Sequence, residues 1–512
     1  MGLNLAECLD LSAEACPDRT AVALDSLRMS YADVAGAACR VANVLREHGI
    51  GRGDRVALLL PNTPQFAVIY YGILYAGATV VSLNPLLKPR ELTFCFRDAE
   101  VKAAFVWKSL GADLGAALPD LPGCRVVFEV EAGFAPEAPA YGQSFMGAML
   151  QAETAFEVAD TRPEDTAVIL YTSAMDGRPR GAQLTHFSLF QNAQAITTRV
   201  LQYQEGDVCL AVLPLFHSFG QTTMMNGAFI SRSTMVTVPR FDAGKVIELV
   251  EKEEVTLLAM VPTMFHLLLH YRPHEHFSFP SLKFVVSGGA KMSLALAAAF
   301  KERFGHTILE GYGLTETSPV AAFNYSVAAN RPGSVGPPIW GCRIRILKDD
   351  GTPAAPGETG EVVVRGHNLM KGYLNDDEAN AKYFRNGWFH TGDLGYMDED
   401  HYLYLTGVKK DMIIRAGMNI YPKELELLLE SRPDIREAAV VGLPDEVRGE
   451  EVHAFVVAEH GAAPTEKELH GWMKERVAAY KLPRKIELVE SLPRDSAGRL
   501  VKELLRAERA HA

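Results

Sequence analysis

The chain lacks the features of a disulfide- or zinc-stapled protein. Its 512 residues carry seven cysteines, odd in number and scattered, with no Cys-x-x-Cys pair. That argues against a disulfide framework or a zinc site and for a reducing compartment, each thiol serving as a small buried hydrophobe. No run of five basic residues occurs, and the formal net charge is −12. Nucleic-acid phosphates require a Lys/Arg surface, so a nucleic-acid partner is not expected, whereas a small anionic ligand needs only a local patch. The first residues include Glu7 and Asp10 and show no basic-then-apolar leader. A cytoplasmic protein without a transmembrane segment is expected. Internal repeats and low-complexity stretches are also missing.

One absence misleads. Val56 to Leu87 contains no charged residue, which could pass for a membrane span. Pro61 and Pro64 break the run after the strand-like Val56–Leu60. Gln65–Ala76 then reads as a buried helix ended by Gly77, and Thr79–Leu83 as a second strand. Strand, helix, strand is a βαβ unit of a soluble core.

What is present is ordinary globular material, 48% hydrophobic and 22% charged, long enough for more than one domain. Short apolar runs at Ala103–Trp107, Val126–Val130, Thr166–Tyr171, Val208–Leu213, Thr234–Pro239, Leu257–Val261 and Phe284–Val286 alternate with helical patterns such as Asp242–Lys252 and Leu294–Phe304. That predicts an α/β fold with largely parallel sheet. From about Gly333 the texture alternates polar and apolar, as in Arg343–Leu347 and Glu361–Arg365, and reads as antiparallel β. From Asp411 it changes again: helices at Lys423–Ser431 and Glu466–Ala479 and strands at Ala438–Gly442 and Glu451–Val457 make a small α+β unit. The expected division is 1–409, with its β-rich part at about 333–409, and 410–512.

Five motifs could carry chemistry. The first follows the strand at Thr166 and runs Tyr171-Thr-Ser-Ala-Met-Asp-Gly-Arg-Pro-Arg-Gly181. Glycines, hydroxyls and cations in such a turn can cradle phosphate, through Thr172, Ser173, Gly177 and Arg180. Asp176 is adverse, since a carboxylate about 4 Å from a phosphate costs on the order of 1 kcal/mol even in water. The second motif is Glu310-Gly-Tyr-Gly-Leu-Thr-Glu-Thr317. Gly311 and Gly313 let the backbone approach a ligand, and Tyr312 can stack on a base. Thr315 and Glu316 can hold phosphate and Mg²⁺, which prefers oxygen ligands. The third is Trp388–Gly395, in which Asp393, read as a turn residue, could bind a ribose diol. The fourth is Leu213–Gly220, in which His217 follows a strand and could touch a substrate carboxylate. The fifth, Leu492–Lys502 near the C-terminus, contains Gly498-Arg499 and could swing a cation onto an anion. Taken singly, each reads as readily as a turn, a core residue or a solvated charge.

Together and in this order, the five motifs resemble the adenylate-forming superfamily of acyl-CoA synthetases, peptide-synthetase adenylation domains and luciferases. Further matches are Ser287–Ala290, Gly366–Tyr373, Lys410-Asp411, Gly417–Pro422 and Tyr480–Pro483. The resemblance implies a large N-terminal domain and a small mobile C-terminal one that rotates between two half-reactions. A carboxylate first attacks the α-phosphate of Mg-ATP, giving acyl-AMP and pyrophosphate. A thiol, usually of CoA, then attacks the acyl carbon. By position, Gly289, Ala290 and Glu310–Gly313 would line the nucleotide and acyl site. Thr315 and Glu316 would serve phosphate and metal, Asp393 the ribose, and Arg499 the adenylation step. His217 would border the carboxylate, Lys410 would be the hinge, and Gly417 and Met418 would form the CoA tunnel. ATP, Mg²⁺ and CoA are the implied cofactors.

Three places depart from the family pattern, and all of them concern ATP. Ala174, Met175, Asp176 and Arg180 stand where the pattern has Gly, Thr, Thr and Lys. Val408 replaces an arginine, and Arg499 replaces a lysine. Arginine is planar and bulkier than lysine, so that exchange is not conservative at a tight site. Three readings therefore stand: an acyl-CoA synthetase with a divergent ATP site, a non-adenylating ligand-binding or regulatory relative, and an adenylating enzyme that loads a carrier protein. The apolar stretches Phe216–Met225 and Val320–Phe323 point to a fatty or aromatic monocarboxylic acid. The residues do not give the oligomeric state, and a homodimer stays open.

Overall fold

A computed structural model describes residues 2–133, 138–172, 179–272, 275–408, 411–494 and 500–510. The expected division at 409–410 falls on residues outside that set. The molecule is mixed α/β, with a large N-terminal and a small C-terminal domain.

Two eight-stranded sheets build the N-terminal part. One runs Leu27–Ser30, Thr20–Leu24, Thr234–Thr237, Val208–Ala211, Leu257–Met260, Phe284–Ser287, Ile308–Gly313 and Val320–Phe323. The other runs Gly372–Tyr373, Arg180–Thr185, Thr166–Thr172, Thr79–Ser82, Arg55–Leu59, Ala103–Trp107, Val126–Val130 and Gln143–Ser144. Both are parallel in the middle, and parallel sheet needs cover on both faces. Helix Pro64–Tyr75 supplies it, touching Arg55–Leu59 and Thr79–Ser82 of one sheet and Thr20–Leu24 of the other. Every residue of this helix is buried. Inside, Tyr71 donates to Asn226 Oδ1 at 2.9 Å and Tyr75 to Asp10 Oδ1 at 3.1 Å. The uncharged run is thus the molecule's centre. Among the described residues no helix is long and apolar enough to cross a membrane.

The alternating stretch after Gly333 forms an antiparallel sheet of Cys342–Leu347, Gly360–Gly366 and Trp388–Met397, with Leu403–Val408 paired to the last. The C-terminal unit is a five-stranded sheet with its own core of Leu425, Leu429, Val440, Ala454, Leu469 and Met473. Helix Glu466–Lys474 stops short of the expected Ala479. Beyond it, the Ala478 N–H is bonded to Glu91 of the N-terminal part, at 3.1 Å.

The turn expected after strand Thr166–Thr172 falls on residues 173–178, outside the described set, and one other local expectation changes. The chain returns as Arg180–Thr185, antiparallel, with Thr172 opposite Arg180. Asp393 lies not in a turn but inside the ten-residue strand Trp388–Met397. Gly392 there has φ of 73°, which glycine adopts without strain, and the register shifts between Leu394 and Gly395. The irregularity lies immediately beside Asp393, and bulges recur next to sites.

Candidate active site

The parallel strands Leu257–Met260 and Phe284–Ser287, together with Ile308–Gly313, end at one crevice, where open α/β sheets bind ligands. A cavity of about 330 Å³ opens there. It brings together Thr172, Gly289, Ala290, Glu310, Gly311, Tyr312 and Gly313 from or beside the strand ends, His217, Thr315 and Glu316 from the connecting segments, Asp393 from the antiparallel sheet and Gly417 from the C-terminal unit. A smaller cavity of about 110 Å³ adjoins it and shares Thr172, His217 and Thr315, with Met418 on its wall. Ser173, Gly177, Lys410 and Arg499 lie outside the described residues, as do Ala174, Met175 and Asp176. Val408 belongs to strand Leu403–Val408 and sits opposite Asp393.

Two carboxylates are held by tyrosines. Tyr312 donates to Asp393 Oδ2 at 2.6 Å, and the Asp393 N–H donates to Thr391 Oγ1 at 3.0 Å. Burial, reinforced by the Asp393 charge, raises the Tyr312 phenol far above its ordinary range, so it stays a donor. Tyr373 donates to Glu316 Oε1 at 2.8 Å, and Thr172 Oγ1 lies 3.5 Å from the same oxygen. Each carboxylate is thereby oriented before any ligand arrives. Tyr373 lies inside a stretch that matches the family pattern, but no local signal in the sequence ties it to Glu316.

His217 is neutral at physiological pH, because burial lowers its pKa to about 4. Its Nδ1 accepts from the Phe219 N–H at 3.3 Å, which leaves the ring proton on Nε2. Toward a substrate carboxylate it therefore acts as a hydrogen-bond donor and not as a cation.

Arg180 is ion-paired within the chain. Its Nε meets Asp376 Oδ2 at 2.5 Å, and its guanidinium faces the Tyr373 ring. Asp376 is also the N-cap of helix Asp377–Tyr383, accepting from the Ala379 N–H. The cation expected at phosphate thus forms a clasp between the return strand and that helix. Gly417 has φ of 81°, and a Cβ there would stand 2.7 Å from Val261 Cγ1, so only glycine lets the C-terminal loop come this close. Among the described residues no group of three His, Cys, Asp or Glu side chains could hold a metal ion. The donor set instead suits Mg²⁺ arriving on phosphate, which commonly takes one or two protein carboxylates. Glu316 would be that carboxylate.

Glu310 gives a pH-dependent prediction. Burial raises its pKa to about 7, opposed by hydrogen bonds from the Met292 and Gly333 N–H groups and by Lys291. Between the ordinary carboxylate range and that value the folded chain holds a proton that the unfolded chain has released. Stability from this group therefore falls as pH rises through the window. Glu310→Gln is expected to flatten that part of the urea-midpoint profile between about pH 5 and 8. A variant profile parallel to the wild type would contradict it.

A crevice at parallel strand ends, with two pre-oriented carboxylates and a neutral imidazole, has the form of an α/β enzyme site. The chain belongs to the AMP-binding enzyme family. The family model "AMP-binding enzyme" matches residues 9–374, and "AMP-binding enzyme C-terminal domain" matches residues 424–499. A long-chain-fatty-acid–CoA ligase from Bacillus subtilis is 35% identical over 99% of this chain and 94% of its own. Among solved structures, the o-succinylbenzoate CoA synthetase of Bacillus subtilis, bound with a product analogue, aligns with a TM-score of 0.86 at 30% identity over 97% of both chains. The amide bond synthetase McbA of Marinactinospora thermotolerans aligns with a TM-score of 0.89 at 27% identity, over 99% of this chain and all of the other.

Proposed function

We propose that the protein is an AMP-forming acyl-CoA synthetase that activates a fatty or aromatic monocarboxylic acid with ATP and passes the acyl group to CoA. The observation that carries this reading is the single cavity in which Tyr312-held Asp393, Tyr373-held Glu316 and neutral His217 meet. Asp393 suits a ribose diol. Thr315 and Glu316 suit phosphate and the Mg²⁺ that neutralises departing pyrophosphate. Gly289, Ala290 and Gly311–Gly313 leave room for the nucleotide. His217 orients the acid through Nε2–H, so that one carboxylate oxygen attacks the α-phosphorus, the bond to the β-phosphate oxygen breaks, and acyl-AMP forms. The thiolate of CoA then attacks the acyl carbon and AMP leaves with the electron pair. The second step would use the Gly417–Met418 loop, reached when the C-terminal unit, hinged at Lys410, takes the pose seen here. Arg499 would serve adenylation in the other pose.

Phe219, Val320 and Phe323 give the cavity an apolar wall, which supports a fatty or aromatic acyl group. Seven unpaired cysteines support a reducing, cytoplasmic location. The test is acid-dependent pyrophosphate release across acids of varied length and aromaticity, with and without CoA. Release with some acid, followed by CoA-dependent thioester, is expected. A carrier-loading enzyme would release pyrophosphate but give no thioester with free CoA.

A second reading, a non-adenylating relative, draws support from the Arg180–Asp376 pair, which occupies a cation that phosphate would otherwise use. Absence of both ATP binding and pyrophosphate release across the panel would decide for it.

A further inference from the structure

Lys481 forms a buried ion cluster that the reaction above does not use. Its Nζ donates to Glu91 Oε1 at 2.6 Å and to Glu424 Oε1 at 2.7 Å. The Lys481 side chain is 4% exposed, that of Glu91 9% and that of Glu424 12%. Glu91 belongs to helix Pro89–Asp98 of the N-terminal part, Glu424 to helix Pro422–Glu430 of the C-terminal unit. The other Glu91 oxygen accepts the N–H of Lys88 at 3.0 Å, which fixes it to its own helix, and that of Ala478 at 3.1 Å. Ala478 is buried among N-terminal side chains that include Leu92, Cys95 and Phe96. The segment is also tied to the other side, because Arg415 donates to the Tyr480 carbonyl at 2.9 Å. Arg415 lies on the strand that pairs with Met418–Ile420. Glu91, Lys481 and Met418 border the smaller cavity together with Thr172, His217 and Thr315.

Burying three charges is poor value for stability alone, because desolvation offsets most of the attraction. Such a cluster can instead select one arrangement of two parts, since removing one partner strands the others. Here the two carboxylates come from different parts, and the lysine lies between them. The Met418 strand is tied to the same segment.

We propose that Lys481 is a positioning residue for the thiol-transfer half-reaction, a latch that locks the C-terminal unit in the pose where the Gly417–Met418 loop faces the cavity. The proposal rests on the acyl-CoA synthetase reading. Lys481 touches no reacting atom. It acts by joining Glu91 to Glu424. When the C-terminal unit turns away for adenylation the cluster opens, so its loss affects one half-reaction and not the other.

The two half-reactions are measured separately on the full-length protein, with an acid that the wild type activates. Adenylation is read as pyrophosphate release with acyl-AMP trapped by hydroxylamine, and transfer as single-turnover thioester formation from preformed acyl-AMP and CoA. Lys481→Met and Glu91→Gln are each expected to slow transfer at least about tenfold and to leave adenylation within about twofold. The conservative exchange Lys481→Arg, which keeps a cation between the two carboxylates, is expected to retain part of the transfer rate that Lys481→Met loses. Should one variant fail to fold, the other carries the test. Equal loss in both steps, or no loss in transfer, overturns the latch. A wild type that forms no acyl-AMP with any acid overturns the functional reading itself, a distinct outcome.

Discussion

Glu316→Gln is expected to lower acid-dependent pyrophosphate release by about 10²–10³-fold, the range seen when a group that stabilises transition-state charge is removed. The substitution is nearly isosteric. An amide oxygen can still accept from Tyr373, which now donates at 2.8 Å, so the turn should keep its shape. What is lost is the negative charge that, in the proposed reaction, would hold Mg²⁺ on the phosphates. The thermal midpoint should therefore stay close to the wild type while the rate falls. Tyr373→Phe should give a smaller loss, because the charge stays but its orientation is less restricted. A pyrophosphate rate for Glu316→Gln within about twofold of wild type would remove Glu316 from the phosphate site.

Asp393→Ala is expected to raise the KM for ATP by about 10²-fold and to leave the KM for the acid nearly unchanged. Hydrogen bonds to a charged group contribute about 1.5–3 kcal/mol each, and a ribose diol offers two. The variant also strands the Tyr312 hydroxyl, so pairing it with Tyr312→Phe separates the two effects. Tyr312→Phe alone should cost less, since the Asp393 N–H remains fixed on Thr391 at 3.0 Å. Equal shifts in both KM values would mean that Asp393 serves the cavity's shape and not the nucleotide.

Periodicity located the strands Ala103–Trp107 and Val126–Val130 and the helix Leu294–Phe304 to the residue, because each is a short apolar or amphipathic run between breakers. It also identified a buried helix at Gln65–Ala76, observed at Pro64–Tyr75, since no charge interrupts it. The interleaving of the two large sheets was not legible. The pairing of Thr20–Leu24 beside Thr234–Thr237 depends on side chains far apart in sequence. In the site, ordered motifs pointed to Glu310, Tyr312, Thr315, Glu316 and Asp393, and these line one cavity. The support of Glu316 was not legible: Tyr373, 57 positions away, makes a contact that no spacing rule encodes. Arg180 shows the same limit. Its identity announced a cation, but the direction of that cation is set by Asp376, from a distant helix cap. The Tyr480–Pro483 stretch matched the family pattern without a role, because Glu91 belongs to another part of the chain.

The Thr20–Leu24 strand also bears on how the protein is made. Its parallel neighbour, Thr234–Thr237, leaves the ribosome long after it. During that interval helix Pro64–Tyr75, apolar on every side, has one of its two covering sheets unfinished. Long-range pairing of this kind closes slowly and leaves apolar surface open to aggregation meanwhile. Translation speed up to Thr237 and the supply of chaperones should therefore set soluble yield more strongly than the stability of the finished protein does. Chains truncated before that strand should collect in the insoluble fraction.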